Sequence, residues 1–139
     1  MKTKHIFKIL TIMMMLVLTV FTTGCESQAE KYDKASDEIT TYVTQTYKEL
    51  DEMSNKIAHG DDKRLSIETR KEIAKLPEKY IEKADNYEKN IKIKLRNLRE
   101  IAKGDAGLER DAQLKIEEIN RITNKITYMS SAFKAIRKK

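Results

Sequence analysis

The chain has no tryptophan, one proline (Pro77), one cysteine (Cys25), two histidines and four glycines in 139 residues. Each scarcity excludes something. A single cysteine leaves no intramolecular disulfide and no cysteine-based metal cluster. So few turn residues argue against a many-stranded architecture, which spends glycine and proline at every hairpin. His5 lies near the amino terminus, and His59 stands at a turn beside Gly60, Asp61 and Asp62. One histidine with two carboxylates at a helix end reads as capping and solvation, so the expectation for metal is none. No nucleophile elbow and no glycine-rich phosphate loop occurs. Acidic pairs such as Glu117-Glu118 read as a wetted helix face, since 36% of residues are charged. The expectation is a protein that is not an enzyme, with no catalytic and no cofactor-binding residues.

What the chain does have begins with Lys2, Lys4 and Lys8 and no acidic residue before Glu26. An apolar run of 13 residues, Ile9 to Phe21, follows, broken only by Thr11 and Thr19. A permanent membrane span takes roughly 20 apolar residues. A basic start, a shorter apolar middle and the small residues Thr22, Thr23 and Gly24 before Cys25 describe an export signal.

This stretch resembles bacterial lipoprotein signal peptides. The resemblance covers residues 1 to about 28 and rests on Gly24 and Cys25, the most constrained positions of that family's lipobox. Thr23 is acceptable before them, and Thr22 stands where an aliphatic residue is usual. The resemblance implies that the Cys25 thiol receives a diacylglyceryl group. It also implies that the chain is cut before Cys25 and that the new amino terminus is acylated, commonly with palmitate. Two or three acyl chains hold a protein on a membrane, because each buried methylene contributes about 0.8 kcal/mol. The implied location is the extracytoplasmic side of the cell membrane or the outer membrane, and Glu26 after the cysteine is compatible with the latter. An uncleaved anchor, or ordinary secretion with a bare thiol, are the alternatives.

The charge is less basic than it looks. Of 28 basic and 22 acidic residues, the first 24 positions hold three basic and no acidic ones, which leaves +3 on residues 25–139. That balance and the export signal predict no nucleic-acid partner. The segments are a signal peptide at 1–24, a polar tether at 25–30 and a helical bundle domain at 31–139.

Within that domain the hydrophobic spacing predicts three amphipathic helices. The first, about Lys31 to Ala58, carries Tyr32, Ile39, Val43, Thr46, Leu50, Met53 and Ile57 on one face, with Gly60 placed to end it in a left-handed conformation. Asp61 or Asp62 is placed to cap the second. Its stripe runs in phase from Leu65 to Ala102 across Pro77, which favours one long helix kinked at the proline over a short helix followed by a new one. Gly104 stops it and Asp105 caps the third, about Ala106 to Arg137. The third stripe is Leu108, Ala112, Lys115, Ile119, Ile122, Ile126, Met129, Phe133 and Ile136, with the Lys115 stem laid along the seam. Short turns return the chain antiparallel, so the fold class is all-α, an elongated, coiled-coil-like antiparallel three-helix bundle after the signal peptide. The narrow stripes leave room for self-association.

Two basic clusters are the candidate binding residues: Lys92, Lys94, Arg96 and Arg99, and Lys134, Arg137, Lys138 and Lys139. They fit a solvated face, or attraction to an acidic envelope protein or an anionic polymer such as phospholipid, teichoic acid or lipopolysaccharide. The functional expectation is a non-enzymatic, lipid-anchored envelope protein that presents a bundle for binding, with superinfection exclusion and adhesion both compatible. The alternative is structural. Ala135 to Lys139 faintly resembles the basic end of the major outer-membrane lipoprotein, which is joined to peptidoglycan through its terminal lysine.

Overall fold

The computed structural model describes residues 26–137. The expected signal peptide at 1–24, Cys25, Lys138 and Lys139 lie outside the described residues. Four helices follow in order: α1 (Gln28–Ala58), α2 (Ile67–Ile73), α3 (Leu76–Ala102) and α4 (Ala106–Arg137). The three long ones form the antiparallel bundle, and the described residues contain no strand.

Helix α1 begins three residues before the predicted start. Ser27 accepts a hydrogen bond from the Glu30 amide while the Glu30 carboxylate accepts one from the Ser27 amide. This reciprocal cap satisfies two amides that would otherwise be orphaned at the helix start. Gln28–Glu30, expected in the tether, are therefore helical, and Glu26 and Ser27 are the described residues left before the helix. The Gln28 side-chain amide donates to the carbonyls of Ile101 (2.7 Å) and Lys103 (3.1 Å), tying the start of α1 to the end of α3.

The expected single kinked helix is two helices. Pro77 has no N–H to give the carbonyl of Ile73, so the i to i−4 ladder lapses there. Helix α2 ends at Ile73, and Pro77 sits in the first turn of α3, where a missing donor costs nothing. Ala74 (φ −60°, ψ −20°) and Lys75 (φ −88°, ψ −14°) keep near-helical dihedrals, which is why the stripe stays in phase across the break. The cap also differs from expectation. Ser66 accepts from the Thr69 amide at 3.1 Å and starts α2, while Asp62 turns to Arg64 at 2.8 Å.

Gly60 is not left-handed. Among the described residues the one glycine with positive φ is Gly104, at 89°, which turns the chain from α3 into α4. Gly60 is required for space: a Cβ there would stand 2.7 Å from Ile73 Cγ2 and 3.2 Å from the Ile57 carbonyl oxygen. Asp105 caps α4 as expected, its Oδ1 accepting from the Gly107 (2.9 Å) and Leu108 (3.0 Å) amides.

Helix α3 is the central helix. It packs extensively on both α1 and α4, which touch each other much less. Its buried side chains Tyr80, Ala84, Tyr87, Ile91, Leu98 and Ala102 meet Tyr32, Ile39, Val43 and Leu50 of α1 and Ala112, Ile119, Ile126 and Phe133 of α4. Tyr87 stacks on Tyr42 with ring centroids 5.7 Å apart, and Tyr80 meets Phe133 edge to face at 4.9 Å. Such pairs add about 0.5–1.5 kcal/mol beyond their area. The Thr123 hydroxyl donates to the Ile119 carbonyl, so the Tyr87 hydroxyl donates to Thr123 at 3.0 Å. The Lys115 stem is half-buried and its ammonium donates to Thr40 Oγ1 at 3.0 Å, the edge position its place on the seam predicts. Ile116 is buried, whereas Ile136 is 70% exposed and does not belong to the core.

Candidate functional site

The antiparallel arrangement separates the two predicted basic clusters. Lys134 pairs with Asp85 at 2.9 Å and Arg137 with Glu78 at 3.4 Å, which fixes the end of α4 beside the first turns of α3. Arg96 and Arg99 lie near the other end of α3, roughly 20 Å away at 1.5 Å per residue. Their 92–99 cluster is itself partly engaged: Lys92 pairs with Glu88 at 2.8 Å, and the Lys94 ammonium lies 5.5 Å from the centre of the Tyr42 ring. Arg96 and Arg99 are exposed. No single patch gathers the predicted residues, and Lys138 and Lys139 fall outside the described part. Exposed ion pairs of this sort contribute about 0–1 kcal/mol each, so they leave these cations available to a stronger partner.

His59 serves the helix end. Its Nδ1 lies 2.7 Å from the Asn55 carbonyl oxygen, and Arg64 holds the Asp62 carboxyl below the usual carboxylate range through hydrogen bonds. Among the described residues no three histidine, cysteine, aspartate or glutamate side chains are grouped to hold a metal ion.

The structure instead gathers residues that the sequence reading assigned to a continuous stripe. Where the end of α1, the 59–66 loop, α2 and the start of α3 meet, a half-open cavity of about 670 Å³ forms. Leu65, Ile73 and Leu76 supply its apolar lining, and Lys56, Lys75 and Lys79 stand on its wall. None of the seven α2 residues is buried, so this wall is only lightly packed. The sequence signal was the break at Pro77. Once α2 and α3 are separate helices, Leu65, Ile73 and Leu76 no longer have to face the bundle core, and all three are half-buried. Residues 56–79 hold seven basic and five acidic side chains, a net of +2.

A second opening lies between α1 and α4. It measures about 500 Å³ and is floored by Leu50, Tyr80 and Ile126, with Tyr47 and Tyr128 at its rim. Tyr128 is 74% exposed. Burial pushes the Tyr80 hydroxyl up to about 12, helped by the nearby Tyr47 and Asp51.

No helix of the described residues is long and apolar enough to cross a membrane. The chain matches no protein-family model, no curated protein and no solved structure.

Proposed function

We propose that this chain is a non-enzymatic envelope lipoprotein, anchored through lipid on Cys25, whose helical bundle binds an envelope protein or polymer. The observation that carries this reading is the order of features around Cys25. A basic start, a 13-residue apolar run and Gly24-Cys25 are followed within three residues by a capped helix. Glu26 and Ser27 form a very short connection, so lipid on Cys25 holds the start of α1 close to the membrane surface. The Gln28 contacts bring the α3–α4 turn to that same end. Helix α1 has 31 residues and spans about 45 Å at 1.5 Å per residue. The 59–66 loop, α2 and the end of α4 then stand at the far end, away from the lipid.

Mass spectrometry of the native polypeptide tests the anchor. The expected amino terminus is an acylated Cys25, and metabolic palmitate labels the wild type but not Cys25→Ala. The variant is released from membranes or accumulates as uncleaved precursor. A native polypeptide that starts at Met1, or one with a bare thiol at position 25, refutes the reading. Crosslinking in the producing cell, followed by isolation from the detergent phase, identifies the partner.

A further inference from the structure

The cavity at the far end has a composition that points to one kind of ligand. Leu65, Ile73 and Leu76 offer an aliphatic surface. Lys56, Lys75 and Lys79 form no ion pair among the described residues. The lining carries two carboxylates, and Asp62 is already neutralised by Arg64 at 2.8 Å, which leaves Glu72 against three ammonium groups. A cation-rich wall around an aliphatic floor complements an amphiphile with an anionic head. No phenylalanine, tyrosine or tryptophan lines the cavity, and His59 is its one ring, so it lacks the large aromatic anchors that peptide-binding surfaces use. Its volume falls within the range of small-molecule sites, about 300–1,000 Å³. Lysines on α1, on α3 and in the link before α3, rather than an arginine fork, suit a compact single anion. We propose that this cavity binds a long-chain fatty carboxylate, the chain lying on Leu65, Ile73 and Leu76 and the head among Lys56, Lys75 and Lys79. Helix α2, which buries none of its own side chains, is the wall that adjusts to the chain. The proposal is independent of the lipid on Cys25.

The test is photocrosslinking of the purified full chain with a diazirine palmitic acid, without the nucleotide and coenzyme needed to activate it. Adducts are expected in peptides from residues 56–79, displaced by palmitate and not by hexadecanol. Lys75→Glu together with Lys79→Glu replaces attraction by repulsion at two exposed contacts, which lowers labelling by roughly tenfold. Lys48→Glu with Lys89→Glu changes the net charge equally, away from the cavity, and leaves labelling unchanged. Helical circular dichroism confirms that each pair folds. Adducts spread along the long helices, equal competition by hexadecanol, displacement by an acidic peptide but not by palmitate, or equal loss in both charge-reversed pairs would overturn the proposal.

Discussion

Gly60→Ala separates two reasons for a glycine at the end of α1. Gly60 does not adopt positive φ, so alanine brings no backbone strain there. It does bring a methyl group to 2.7 Å from Ile73 Cγ2 and 3.2 Å from the Ile57 carbonyl oxygen. Overpacking of this kind costs about 1–3 kcal/mol, offset by about 0.4–1 kcal/mol from the restricted unfolded chain. The net expectation is a loss of about 0.5–2 kcal/mol. Ile73→Ala removes the nearest obstructing atom, so the double variant is more stable than the two single losses predict, with a coupling of about 0.5–2 kcal/mol. Gly104→Ala is the contrast. A Cβ at Gly104 would meet nothing within 4 Å, but φ is 89°. It loses about 1–2 kcal/mol from backbone conformation, and Ile73→Ala leaves that loss unchanged. Urea unfolding followed by helical circular dichroism measures the wild type and the five variants. Additivity of Gly60→Ala and Ile73→Ala within about 0.5 kcal/mol would refute the close-approach argument.

Leu98, fully buried, loses about 2–5 kcal/mol when changed to Ala, whereas Ile136→Ala stays within about 0.5 kcal/mol; equal urea midpoints for the two would contradict the assigned core. Ser130 Oγ is buried and makes no hydrogen bond among the described residues, so Ser130→Ala is expected to raise stability by about 0.5–1.5 kcal/mol, and a destabilised variant would show that the hydroxyl is satisfied. Tyr80 holds its proton more tightly folded, up to about 12, than at its ordinary value of 10.0. Its contribution is therefore complete below pH 10 and is lost as the pH rises towards 12. Tyr80→Phe should flatten the alkaline fall of the urea midpoint over that window; an unchanged slope would rule out Tyr80 as its source.

The sequence by itself determined the three long helices, the Gly104-Asp105 turn and the bounds of α4. Those follow from local rules: a 3.6-residue repeat, a left-handed glycine and a side-chain cap act within a few positions. The same rules were present at Ser27-x-x-Glu30, where the capping box lay in a segment read as tether, and at Pro77, where an unbroken stripe disguised a break. Only the tertiary structure decided that Gly60 answers to Ile73, that Asp85 meets Lys134, and that the two basic clusters lie apart along α3. The cavity among Leu65, Ile73 and Leu76 is of the same kind. Periodicity says that a residue is apolar on one side, but whether that side meets a helix or an opening depends on how distant segments are placed, and no short stretch of chain encodes that.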